Sequence, residues 1–297
     1  MRLKKIVLLS CVAGFLVGCS GSAISRDQLG QTLTVESLKY LPDKVSETSG
    51  LAGYDRYLWT INDSGGKDSV YAFDKKSYDF VKRVKIEGAK NKDWESLAQD
   101  DENLFIADCG NNKGKRKKLD LYKVSWKKLI EAKNKDKVAS KKISFSYADR
   151  GALDVGKQHN FDCEALTAVG NDLWLFTKNR GDLQTRLYAL SKSKSQQKVK
   201  PLMTLPVSGL VTAADYNEKS NKLVLLGYQK ASVFGQSFIW IFDIKAGLPV
   251  WESAVYHTVL PYGQWESVVW ESSGQLLLTS EKSPLGAQQI GRLRLSD

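Results

Sequence analysis

The chain has 297 residues, 42% of them hydrophobic, with 44 Lys and Arg against 33 Asp and Glu, for a formal net charge of +11. That length suits one large domain or two small ones and is ample for a buried core. The basicity does not indicate nucleic acid, because it is local: residues 113–142 hold thirteen Lys or Arg against Asp120, Glu131 and Asp136, and the rest is close to neutral.

In chain order, Arg2, Lys4 and Lys5 precede an apolar run from Ile6 to Val17 that is too short to span a bilayer stably. This is the layout of a secretory signal over residues 1–18. The run closes on Leu16-Val17-Gly18-Cys19, which resembles the lipobox of bacterial lipoproteins. The resemblance implies cleavage before Cys19, a thioether-linked diacylglycerol on its thiol, and residues 19–31 as a lipidated tether. An ordinary signal peptide with an incidental Cys19 is the other reading. Ser20, not Asp, follows the cysteine, which by the sorting logic of Gram-negative lipoproteins implies an outer-membrane anchor facing the periplasm. No later hydrophobic run has spanning length.

From residue 32 onward the chain repeats. Short apolar strands recur at Leu58, Leu104, Leu173, Leu223 and Leu276, at intervals of 46, 69, 50 and 53. Each is preceded by another short strand, at Ser49–Ala52, Glu95–Ala98, Glu164–Thr167, Thr212–Asp215 and Glu266–Val269. Each is followed by a third, as at Val70–Phe73 and Ile239–Phe242, and the first four units have a fourth. Four strands per unit of ~50 residues predict an all-β, five-bladed β-propeller over 32–297, each small sheet burying both faces against its neighbours. A six-bladed ring, the alternative, needs a sixth strand set that is not found. The basic insertion at 113–142 accounts for the long interval, and Ser125–Ala139 predicts a short surface helix. The fifth unit lacks an outer strand, which the unpaired Leu33–Leu38 is predicted to supply so that no edge is left open.

In a propeller, the first strand of each blade lines the central channel. Aligning the repeats places Glu47, Asp93 with Glu95, Asp162 with Glu164, and Glu266 at one mouth, joined by Asp63, Asp108, Lys178 and Glu281 from the second strands. Carboxylates crowded in a narrow channel must be protonated, hydrogen-bonded or matched by a cation. Ca²⁺ suits such a set, since it takes six to eight oxygens in flexible geometry. About half of these acids are expected to serve as turn clasps, Asp63 most clearly, leaving Glu95, Glu164 and Glu266 as the core of a site. Trp94 and Trp265 either pack between blades, the favoured reading, or form a stacking wall for a ligand. Cys109 and Cys163 fall near the mouth on adjacent blades, where they either form a disulfide or remain two buried thiols.

These motifs, among them Leu58-Trp59-Thr60-Ile61-Asn62-Asp63-Ser64-Gly65-Gly66, Asp93-Trp94-Glu95 and Asp108-Cys109-Gly110-Asn111-Asn112, resemble the repeats of secreted bacterial propellers. The group includes phytase-like, gluconolactonase-like and strictosidine-synthase-like domains. The resemblance implies architecture and, for many members, Ca²⁺ in the channel of a six-bladed ring. With only His159 and His257, a His-rich zinc site is not supported; His159, three residues before Asp162, is expected on a surface loop, the alternative being a ligand contact at the mouth. There is no Gly-x-Ser-x-Gly elbow and no phosphate loop. The leading expectation is therefore an envelope lipoprotein binding a small ligand or a protein partner. The alternative is a Ca²⁺-dependent hydrolase of a phosphoester, lactone or glycan using channel carboxylates.

Overall fold

Runs of β-branched and aromatic residues broken by tight polar turns favour antiparallel meanders over helices. In the computed structural model, which describes residues 24–152, 154–229 and 235–295, these runs form five separate sheets. The expected signal segment 1–18 and Cys19 lie outside the described residues.

From channel to rim, blade one is built from Thr48–Tyr54, Tyr57–Asn62, Ser69–Asp74 and Phe80–Glu87. Blade two follows with Trp94–Gln99, Asn103–Asp108, Leu119–Ser125 and Lys141–Tyr147, and blade three with Cys163–Val169, Asp172–Thr177, Thr185–Ser191 and Pro201–Leu205. Blade four uses Leu210–Asn217, Lys222–Gln229, Gln236–Lys245 and Val255–Leu260, and blade five Trp265–Ser272, Gln275–Ser280 and Gln289–Arg294. The five inner strands neighbour one another in a closed circuit. Five apolar layers fill the gaps between successive sheets, including the last against the first. The protein is thus an all-β, five-bladed propeller.

The N-terminal segment closes the ring in two pieces. Glu36–Tyr40 pairs antiparallel with Gln289–Arg294 as the outer strand of blade five, while Leu33–Thr34 pairs parallel with the outer strand of blade four. The predicted single strand is therefore split, and both blades flanking the junction gain a covered edge. The chain before it is also docked. The Gln28 side-chain amide donates to the Trp251 carbonyl at 3.1 Å, and the Gly30 amide donates to Tyr256 at 2.8 Å, so residues expected to be a free tether lie along blade four.

The basic insertion differs from expectation in the same way. Its helix covers only Trp126–Glu131, because the Lys82 ammonium takes the carbonyls of Leu129, Ile130 and Ala132 at 2.7–2.9 Å and ends it. The chain then turns through Lys135, at φ 74°, and adds Lys137–Ala139 parallel to the outer strand of blade one. Blade two is in turn tied to its predecessor.

Candidate channel-mouth site

All five inner strands carry an irregularity near one end, at the same register in four blades and one residue farther along in blade one. The pairing skips Gly50 in blade one, Glu95 in blade two, Glu164 in blade three, Thr212 in blade four and Glu266 in blade five. A β-bulge leaves one residue out of the ladder and re-aims its side chain. The three glutamates singled out by sequence thus occupy one structural position in three blades. Gly50 is required at its own bulge: its φ is +66°, and an added Cβ would sit 2.5 Å from the Leu97 amide nitrogen.

Around these bulges lies a polar cavity of about 220 Å³, lined among others by Asp63, Glu95, Glu164, Lys178, Glu266 and Glu281. The carboxylates at and beside it differ in how they are compensated. Glu164 is compensated by the Lys178 ammonium at 3.1 Å and the Arg180 guanidinium at 3.9 Å, and Arg180 also pairs with Asp162. Asp63, Asp93 and Glu95 have no Lys, Arg or His ion-pair partner among the described residues, yet each has a carboxylate oxygen within 4.8 Å of the other two. Nothing in the described protein donates a hydrogen bond to the Asp93 or Glu95 carboxylate, while Asp63 accepts one from the Ser64 amide. Gly110 makes this convergence feasible, because a Cβ there would fall on Glu95 Oε1 and 2.5 Å from Asp93 Oδ2.

The electrostatics follow from the crowding. Burial pushes Asp93 up to about 6, helped by Asp63 and Asp162. Glu95 is raised well above the usual carboxylate range by burial and then by Glu164. Burial, with Glu266 and Asp63, takes Glu281 to about 8, and burial also raises Glu266 against the pull of Lys178. Burial alone would lower Lys178, but Glu164, Glu266, Tyr228 and Glu95 outweigh it and keep the ammonium charged. The mouth is therefore an acid-rich pocket whose raised carboxyls hold protons more readily than free ones.

Other expected site residues lie elsewhere. Glu47 is exposed and off the cavity wall, contributing its carbonyl to the Asp63 amide at 2.9 Å. Asp108 is fully buried behind the mouth, accepting from the Asp93 amide and pairing with Arg116 at 3.1 Å. The cause is register: Asp108 pairs with Trp94 as Asn62 pairs with Thr48, so it is a clasp and Gly110 faces the mouth instead. Asp162 is likewise enclosed, its second oxygen accepting the Asn111 amide at 2.6 Å. Asp63, expected only as a turn clasp, both holds its turn and faces the cavity. Trp94 and Trp265 are buried, with their indole N–H groups on the Lys90 and Pro261 carbonyls. His159 is buried, with Nδ1 accepting the Phe161 amide at 3.0 Å, so it is not the surface residue expected. Cys109 and Cys163 are joined as a disulfide across blades two and three.

Sequence reasoning missed Arg180, Tyr228 and Gln264, all on the cavity wall. Gln264 was detectable, since Gln264-Trp265-Glu266 repeats Asp93-Trp94-Glu95 and Asp162-Cys163-Glu164. Tyr228 was detectable too, since it follows Leu223 at the spacing by which Lys178 follows Leu173 and Glu281 follows Leu276.

Fold and mouth together define a five-bladed propeller with an acidic channel opening. No protein-family model matches this chain, and no curated protein matches its sequence. The fold is shared with solved propellers. An α-L-arabinofuranosidase from Podospora anserina, solved with cellotriose, superposes with a TM-score of 0.50 at 9% identity, covering 90% of this chain and 97% of that one. A PQQ-bound aldose sugar dehydrogenase from Streptomyces coelicolor gives 0.49 at 12% identity, covering 90% and 99%. At such identities the likeness is one of fold alone.

Proposed function

We propose that the chain is an envelope lipoprotein, acylated at Cys19, whose propeller binds a small hydroxyl-rich ligand at the channel mouth with Ca²⁺ held by Asp63, Asp93 and Glu95. One observation carries the cation: three converging carboxylates that have no protein cation among the described residues, two of them with no donor there either. An all-oxygen, anionic set with room for carbonyls or waters suits a hard divalent ion. Lys178 and Arg180 complete the charge balance on the other side and hold Glu164 in place. The cavity, at about 220 Å³, is of the order of a single sugar ring, and its wall mixes five carboxyl groups with donors from Ser49, Asn112, Lys178, Arg180, Tyr228 and Gln264. A ligand whose hydroxyls both donate and accept therefore fits this wall better than an anion does. The ion would add Lewis acidity and an anchor for vicinal hydroxyls; the protein's own groups orient the ligand and exclude bulk water.

The test is thermal unfolding with Ca²⁺ and with a chelator. Saturation at about a hundredfold over Kd adds ~2.7 kcal/mol, a shift of several degrees. Asp63→Asn should remove most of it. An unchanged melting temperature with Ca²⁺ refutes the cation. Calorimetric titration of monosaccharides and linear polyols, with and without Ca²⁺, then tests the ligand class.

A second reading, hydrolysis of a glycan or lactone, is favoured by Glu281, whose carboxyl at about 8 keeps its proton at neutral pH beside the other acids of the cavity. Release of chromophore from nitrophenyl glycosides, lost in Glu281→Gln, distinguishes it from binding alone.

A further inference from the structure

We propose that the face opposite the mouth carries a docking groove for a lysine- or arginine-rich peptide segment of a partner protein. The groove, about 740 Å³, lies where blades one and two meet, at the far ends of their inner strands. Its floor is apolar: Tyr54 and Trp126 are stacked with ring centroids 4.5 Å apart and planes 8° from parallel, and Ile130 is half-buried beside them. Its rim carries Asp55, Asp101, Glu102 and Glu131 against Lys127 alone. All four carboxylates are on exposed residues, and none is in an ion pair among the described residues, in a chain with 44 basic residues. A rim with four acids and one lysine is a local reversal of the chain's net positive charge. Their charge is complementary to a cationic partner and opposed to an anionic one.

The acids are also held ready. The Tyr54 hydroxyl donates to the Asp101 carbonyl at 3.0 Å, the Trp126 indole donates to Asp100 at 3.0 Å, and the Trp126 amide donates to Glu102 at 2.9 Å. Lys192 fixes Asp100 itself at 3.1 Å. The aromatic floor thereby pins the hairpin that presents Asp101 and Glu102, so little ordering is left for binding to cost. A basic residue's ammonium or guanidinium meets the rim while its aliphatic stem, or an adjacent apolar side chain, covers Tyr54 and Ile130.

The test is fluorescence anisotropy with a labelled peptide of four Lys-Leu repeats and a control of four Lys-Gly repeats, on the folded protein at about 20 mM salt. The Lys-Leu peptide should bind, and more tightly than the equally charged control. The triple variant Asp101→Asn/Glu102→Gln/Glu131→Gln should weaken it about tenfold. Asp27→Asn/Glu218→Gln/Glu252→Gln, an equal charge change at exposed positions elsewhere, should leave it unchanged. Absence of binding, equal weakening by both triple variants, or equal affinity for the two peptides would each overturn the proposal. The Asp101→Asn/Glu102→Gln/Glu131→Gln variant leaves every residue lining the mouth intact, so its effect is read separately from the proposed ligand site.

Discussion

Asp215 allows a prediction whose size follows from its surroundings. It sits on the inner strand of blade four and ties three blades together. Its carboxylate accepts the Trp270 amide of blade five at 2.8 Å and the Thr167 hydroxyl of blade three at 3.3 Å, and its carbonyl accepts the Trp270 indole at 3.2 Å. Burial raises it to about 7 from an ordinary 3.8, against the pull of these donors. The folded state therefore keeps a proton that the unfolded chain releases. The associated stability is complete below about pH 4 and is lost as pH rises to about 7. At ~1.36 kcal/mol per pH unit, and allowing for partial exposure, about 2–3 kcal/mol disappears between about pH 5 and pH 8. Asp215→Asn stays neutral, retains an oxygen for the Trp270 amide, and can donate to Thr167. Its melting temperature should therefore gain on the parent by about 4–8 °C over that interval. Differential scanning calorimetry at both pH values reads this directly. Parallel curves for the two proteins would show that Asp215 is not held protonated, and the reasoning would fail.

Three further outcomes are expected. Replacing both Cys109 and Cys163 by alanine opens a loop spanning 54 residues. Chain entropy sets the loss at about 4 kcal/mol, read as a lower denaturant midpoint; an unchanged midpoint argues against the bridge. Lys82→Met removes the ammonium that caps the Trp126–Glu131 helix, and should cost about 2–3 kcal/mol while exposing residues 127–136 to proteolysis. Protease resistance equal to the parent would contradict that role. Cys19→Ala should move the protein from the membrane to the soluble fraction of the exporting host, and unchanged fractionation would remove the lipid anchor from the proposal.

The repeat was legible because the strand period of two and the turn residues are local properties. Leu58, Leu104, Leu173, Leu223 and Leu276 all fall on second strands of blades, and the ring count follows from them. Glu95, Glu164 and Glu266 were legible as a set for the same reason: each opens an inner strand. What makes them a set in space is the bulge, and a bulge depends on cross-strand register, which no single strand specifies. The same register sent Asp108 behind the wall and put Gly110 at the mouth in its stead.

The sequence by itself determined the five units, the covered N-terminal junction and the acidic character of one channel mouth, because each rests on residue type and spacing along the chain. Tertiary structure alone decided which acids are neutralised. Arg180 and Lys178 reach Glu164 and Asp162 but leave Asp63, Asp93 and Glu95 to face one another. Coulomb energy in a desolvated pocket depends on separations of a few ångströms between residues on different blades, a quantity that sequence spacing does not encode.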